Sequence, residues 1–280
     1  MTTSAPTGRF VAALRLVGIV VVGLVVLTPF LWSLSTSLKL QEHVLLFPPT
    51  LLPWPVTLQN YQEVLTAGFP RYMLNSFIVS FATVLVVLVV SIHAGYAVAR
   101  YEFRGKSTML FLILAGMAMG ELATVLPLYF FASQLRIVDT YGILILANSA
   151  FVAPLGIWFM QGYFRSIPPQ MEEAALIDGT SRLGALYRIV LPSALPGLVT
   201  VSLISFVASW NEFILALVLT SSESMRTVPV GVHLYMTDYG VQWGNITAAG
   251  ILSIVPILVL FLLLQKHFLR GLTAGSTTGF

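Results

Sequence analysis

Six stretches of mostly apolar residues, each about 20 long or longer, restrict what this 280-residue chain can fold into more than any other feature. They are Leu16–Leu38, Ser76–Ala99, Met109–Ala132, Tyr141–Tyr163, Gly197–Leu219 and Ile246–Leu264. A helix of about 20 apolar residues crosses the hydrocarbon of a bilayer. In lipid every backbone polar group must be satisfied internally, which leaves helices or a closed barrel. A barrel would show alternating segments of about 10 residues, and the pattern here is continuous instead. Only 9% of the residues are charged and the mean hydropathy is +0.90, against about 25% charged in soluble domains. The expected fold is therefore an all-α integral membrane protein with six transmembrane helices in one domain over residues 1–280. Three spans are not purely apolar: the third carries Glu121, the fourth Asn148, and the fifth Trp210, Asn211 and Glu212.

The segment Met1–Arg15 holds Arg9 and Arg15 ahead of the first apolar run, as a signal peptide would. That run is too long for a signal core and lacks a following small-residue cleavage site, so it reads as an uncleaved first span. With an even number of spans both termini share a side. That side collects Arg9, Arg15, Arg100, Arg104, Lys106, Arg165, Arg182, Arg188, Lys266 and Arg270, against Lys39, Arg71, Arg136 and Arg226 on the other. Cytoplasmic segments carry the excess of Lys and Arg, which puts both termini in the cytoplasm. The outer segments, Lys39–Asn75 and Thr220–Asn245, are rich in Pro, Trp and Tyr.

Several chemistries find no support. The basic residues are scattered and the net charge is only +3, unlike the clustered basic face of a nucleic-acid binder. Without cysteine there is no disulfide, Cys-based zinc site or thiol nucleophile. His43, His93, His233 and His267 lack metal-binding spacing, so no metal is expected. His93 and Asn75 share a helical face but lie ~27 Å apart at 1.5 Å per residue. Gly105-Lys106 lacks the upstream glycine of a phosphate-binding loop, and no GxSxG nucleophile motif is present. The chain is not expected to be an enzyme.

One segment breaks the membrane pattern. Between the fourth and fifth spans, residues 165–193 have the grammar of soluble helices. Pro168 and Pro169 suit a first helical turn, and Glu172 and Glu173 follow where the helix dipole favours acids. Gly179 is placed to end that helix in a left-handed cap, after which Thr180 or Ser181 can cap a second one. Leu183, Leu186, Tyr187 and Val190 fall at i, i+3, i+4 and i+7, predicting one apolar face. The segment reads as a cytoplasmic helix-turn-helix, with Pro192 and Pro196 marking re-entry into the membrane.

Glu173-Ala174-Ala175, then Gly179 after three residues, then Ile189-Val190-Leu191-Pro192 after nine more resembles the EAA loop of ABC-importer permeases. The wider chain is similar to the carbohydrate-uptake branch, in the partner related to the maltose system's second permease. The stretches that carry this are Asn75-Ser76, Ala94-Gly95-Tyr96-Ala97-Val98-Ala99-Arg100, Leu126-Pro127-Leu128-Tyr129, Asp139-Thr140-Tyr141-Gly142, Trp210-Asn211-Glu212-Phe213 and Gly271-Leu272-Thr273-Ala274-Gly275. Two positions depart from the family pattern: Leu186 where phenylalanine is usual and Thr180 where alanine is usual. Leu186 would then offer a smaller knob to an ATPase groove.

The resemblance implies a type I ABC importer permease fold in a bacterial inner membrane. It implies a heterodimer with a second permease subunit, two ATPase subunits that bind ATP and Mg, an extracytoplasmic solute-binding protein, and no cofactor on this chain. The coupling residues it implies are Glu172, Glu173, Ala174, Ala175, Asp178, Gly179, Leu183, Leu186, Tyr187, Ile189 and Pro192. The solute would be a sugar or related polyhydroxyl compound. The alternatives are an ion-gradient-driven secondary transporter, although no inverted repeat is visible, an intramembrane enzyme, or an ABC permease for a solute such as glycerol-3-phosphate.

Candidates for the solute path are Glu121, Asn148, Trp210, Asn211 and Glu212. An ionised carboxylate at mid-span costs at least ~2.5 kcal/mol, so Glu121 should face the bundle interior, near Asn148 or Asn211. It either accepts sugar hydroxyls or holds helices together, and both readings stand. Asn148 is open in the same way. Trp210 reads as an interfacial anchor or gate-packing residue ahead of a sugar-stacking one.

Overall fold

The computed structural model describes residues 6–117, 120–237 and 240–276, with side chains described outside residues 6–10, 13 and 266–276. Among these, four helices are long and apolar enough to cross a membrane, Leu14–Ser37, Phe69–Arg100, Tyr141–Ser166 and Trp243–Gln265. The number rises to six if each of two bent pairs is one span: Lys106–Met117 with Gly120–Gln134, bent by 91°, and Arg182–Ser193 with Leu195–Trp210, bent by 79°. The all-α membrane architecture expected from the sequence is observed. The chain from Met109 to Ala132 holds two helices, and Gly120 opens the second with φ +64°. Ala194 lies at the other bend, with Pro192 and Pro196 on either side, whose missing N–H groups suit a helix start. The tail stretch Gly271–Gly275 of the family resemblance falls where side chains are not described.

Close contacts divide the chain into two units, residues 1–68 with 232–254 and residues 69–231 with 255–280. In the first unit the opening helix buries none of its apolar window. Its end is fastened by polar side chains, because irregular backbone at a helix terminus needs partners. Asn60 Nδ2 donates to the carbonyls of Ser37 and Lys39, at 2.9 and 2.7 Å. Asn245 Nδ2 donates to Glu63 and Gln242, each at 3.0 Å. A short antiparallel hairpin pairs Met236 with Val241 and Thr237 with Gly240.

The second unit is built around the crossing of Phe69–Arg100 and Tyr141–Ser166. Without a hydrophobic drive between helices in lipid, small residues allow the backbones to approach and gain van der Waals contact. Ser91 and Gly95, four residues apart, provide this face on one helix and Gly156 on the other. A Cβ on Gly95 would lie 2.9 Å from Met160 Cβ, and one on Gly156 2.3 Å from Ser91 Oγ. Leu195–Trp210 completes the packing, with Val201 against Gly156.

Two apolar clusters result. One gathers Val79, Val125, Leu144, Leu215 and Leu219. The other gathers Val87, Tyr96, Met160, Phe164, Leu186 and Val190 beneath the loop. At the end away from the loop, polar fasteners join the connections. Asn75 Nδ2 donates to the carbonyls of Ser224 and Arg226, both at 2.8 Å, and Tyr141 Oη donates to Asn75 Oδ1 at 2.7 Å. The amide of Val228 donates to Ser76 Oγ at 2.8 Å. Thr140 caps the fourth span by accepting from the Ile143 amide. Asp139 accepts from the amides of Ser221 and Ser222 at 2.9 and 3.0 Å. Several family-like stretches are thus places where connections are tied down.

Candidate functional site

The loop after the fourth span is built as its residues dictate, up to its second turn. Pro169–Ile177 is helical and ends in a Schellman motif. The amide of Thr180 donates to the Ala175 carbonyl at 3.0 Å and that of Gly179 to the Leu176 carbonyl at 3.1 Å. Gly179 sits at φ +84°, the left-handed region that a side chain disfavours, with open space where its Cβ would be. Ser181, not Thr180, caps the next helix, accepting from the Gly184 amide at 3.1 Å.

Beyond Ala185 the expected single apolar face does not form. Leu186–Val190 is a π-helical turn, closed by the Leu191 amide on the Leu186 carbonyl. The i→i+5 turn shifts the facing of side chains relative to an α-helix. Leu186 and Val190 are fully buried, whereas Leu183 is 60% and Tyr187 48% exposed. Leu186 is therefore a core residue, not a knob presented outward. Ile177, which the sequence did not single out, is 86% exposed. Glu173, Ala174, Asp178 and Gly179 are exposed beside it, Ala175 is buried, Ile189 is half-buried and Pro192 exposed.

Glu172 does not join this exposed set. It is buried, its carboxylate paired with Arg100 Nε at 3.0 Å and accepting from Tyr96 Oη. Arg100 Nη2 also donates to the Ile167 carbonyl at 3.0 Å. An ionised group taken from water needs both a charge partner and hydrogen bonds, and Glu172 has both. Tyr187 Oη lies 2.8 Å from His93 Nε2, and the Arg182 guanidinium sits 5.5 Å over the Tyr101 ring. These partners, 67 or more residues from their loop contacts, were missed in the sequence. The signal available was Arg100, a cation ending the stretch Ala94–Arg100. Nearby, the hydrogen bond and charge of Lys106 hold the exposed Glu102 carboxyl below its usual range.

The path candidates separate. Glu121 is half-buried and lines a cavity of about 540 Å³ with Met117, Phe151, Leu155, Ile204 and Ile214. Neither Asn148 nor Asn211 lines this cavity, and among the described residues the Glu121 carboxylate has no hydrogen bond. Asn148 is buried, donating to the Leu144 carbonyl one turn back at 2.9 Å. Trp210 is 2% exposed and stacked on Phe206 at 5.5 Å, so it is a packing residue, not an interfacial anchor. Asn211 is exposed and donates to the Val207 carbonyl at 2.9 Å. Glu212 accepts from the amides of Leu215 and Ala216, filling the donors that open the helix Ile214–Leu219. Its oxygens are spent on the fold. An apolar cavity of about 750 Å³ adjoins that of Glu121, since Ile204 and Ala208 line both.

Comparison with known proteins points to one family. The family described as binding-protein-dependent transport system inner membrane component matches residues 88–274. The chain is 36% identical to the trehalose/maltose transport system permease protein MalG of Thermococcus litoralis, over 95% of this chain and 96% of that protein. It is 34% identical to the sulfoquinovosyl glycerol transport system permease protein SmoH of Agrobacterium fabrum, over 90% and 89%. A chain from the crystal structure of a bacterial ABC transporter importing the acidic polysaccharide alginate superposes with TM-score 0.75 at 23% identity, covering 96% of this chain and all of that one. With the fold shared, and with the match embracing both the second span's end and the loop it holds, the chain belongs to the inner-membrane permease family of binding-protein-dependent transport systems.

Proposed function

We propose that this chain forms half of the translocation path of an ATP-driven sugar importer. It pairs with a second permease subunit, docks two ATPase subunits through residues 165–193, and receives solute from an extracytoplasmic binding protein. The observation that carries this reading is the loop's exposed edge. Glu173, Asp178 and two apolar side chains, Ile177 and Leu183, are displayed around a rigid Gly179 turn. An exposed apolar group rimmed by charge is the makeup of a protein interface. The charge count puts this loop and both termini in the cytoplasm, where ATP and Mg would be bound and hydrolysed by the ATPase subunits and not by this chain. A saccharide as solute is supported by the transport names of the similar proteins. The ion-gradient alternative is not favoured.

On the solute path Glu121 is the remaining candidate. Its cavity lies within the ~300–1,000 Å³ of small-molecule sites and offers a carboxylate acceptor among apolar walls. The reading is tested with the reconstituted complex and its binding protein, offered trehalose, maltose and other saccharides in turn. Stimulation of ATP hydrolysis by a saccharide is expected. Stimulation by non-saccharide solutes alone would overturn the sugar assignment.

A further inference from the structure

The loop grips the second span at successive turns. Glu172 reaches Arg100 and Tyr96, Tyr187 reaches His93, and Arg182 covers the ring of Tyr101. Residues 93, 96, 100 and 101 all belong to the last turns of Phe69–Arg100 or directly follow it. Arg100 also holds the Ile167 carbonyl, where the fourth span passes into the loop. Apolar contact runs the same way, since Leu186 and Val190 pack with Tyr96, Phe164 and Met160.

We propose that Glu172, Arg100 and Tyr96 form the joint that transmits displacement of the loop to the second span. The loop and the end of that helix then move as one body. Glu172 is thus a positioning residue, distinct in role from the exposed Glu173 next to it. A buried, hydrogen-bonded ion pair is geometrically exact and slow to rearrange compared with an exposed one, because its partners have no water to exchange with. A push on the exposed edge at Ile177 or Leu183 therefore reaches residues 96–100 before it can be lost in loop flexing. Gly95, one residue from Tyr96, packs against Met160 and Gln161 of the fourth span with no room for a Cβ, so the motion is handed on between helices. This rests on the reading of the loop as the ATPase-facing element.

The experiment uses the complete importer in proteoliposomes with its binding protein. Glu172→Gln keeps the size but removes the charge and replaces one of the two acceptor oxygens with an NH2 donor, so Tyr96 and Arg100 are no longer both accepted. ATPase subunits are expected to stay bound and to hydrolyse ATP. Solute uptake per ATP should fall about tenfold or more, the scale of losing a hydrogen bond to a charged group. Uptake per ATP equal to that of the unsubstituted complex, or loss of the ATPase subunits, would overturn the proposal. Since unpairing a buried charge can itself unfold a protein, a second measurement leaves the joint intact. The chain has no cysteine, so Gln170→Cys and Val90→Cys place spin labels on the loop and the second span alone. Their separation is expected to stay the same when ATP binds. A change on ATP binding would mean that the loop slides on the span, and the proposal would fall. An unsubstituted complex that retains no ATPase would instead overturn the coupling reading on which it rests.

Discussion

Gly179 concentrates most of what a single residue does in this molecule. Its left-handed φ closes the Schellman motif, and open space surrounds the position a Cβ would take. Substitution is therefore a matter of backbone strain alone, about 1–2 kcal/mol for an ordinary residue and less for Asn. Gly179→Asn should couple nearly as well as the natural residue, while Gly179→Val should lower uptake. Pro should do worse still, because the Gly179 amide donates to Leu176. Uptake assays on the three variants check this order, and full uptake with Val would refute the turn argument. At Glu121 the expected outcome of Glu121→Gln is normal assembly and ATP hydrolysis with strongly reduced transport, since no helix–helix hydrogen bond of its carboxylate would be lost. Assembly failure would identify a structural role. Gly179 and Ser181 were legible because their roles depend on neighbours within five residues. Glu172 was not, because its fate is decided by Arg100 and Tyr96, more than seventy residues earlier. Trp210 packs on Phe206, in line with the gate-packing half of its sequence reading, whereas the capping of Ile214–Leu219 by Glu212 depends on a helix start that the apolar run did not announce.

Among the elements, the close crossing of the second and fourth spans sets the tightest tolerance. Gly156→Leu would drive a side chain into Ser91, Val87 and Val201, at a cost of about 1–3 kcal/mol or more. Reduced yield of folded protein, read by thermal unfolding in detergent, should exceed that of a bulky residue at Gly162, whose Cβ would meet nothing. Equal effects at the two positions would contradict the packing. The connection held by Asp139 carries a pH dependence. Desolvation pushes this carboxyl up, but hydrogen bonds from the Ser222 side chain and the amides of Ser221 and Ser222 together outweigh it and hold it below its ordinary value of 3.8. A depressed pKa contributes stability that is complete above the ordinary value and is lost as the pH falls through the lower, folded one. Unfolding temperature should therefore drop on acidification below about 4, with a smaller drop in Asp139→Asn. Identical acid profiles for the two proteins would exclude the contribution. The apolar runs announced the helices because hydropathy is additive along a chain. The π-helical turn at Leu186–Val190 was invisible, since an α-helical period was assumed and the extra residue per turn splits Leu183 and Tyr187 from Leu186 and Val190.

For the whole molecule, the family resemblance already implied partner subunits. A first span with none of its apolar window buried, a loop that displays Ile177 and Leu183, and cavities bordered by one chain's helices all belong to a subunit with partners to meet. The family match gives the class of permease, and the proposed function makes the loop the place where energy enters. In the proposed function this place is an ATPase-docking surface centred on the Gly179 turn. The most direct measurement is quantitative isolation of the tagged chain from its native membranes, with the natural loop and with Glu173→Lys or Leu183→Asp. An ATP-hydrolysing subunit is expected to accompany the natural chain in fixed proportion and to be lost from both variants, while the second permease subunit stays bound. Retention of the ATPase by both variants, or solute uptake driven by an ion gradient without any ATPase, would contradict the proposed function.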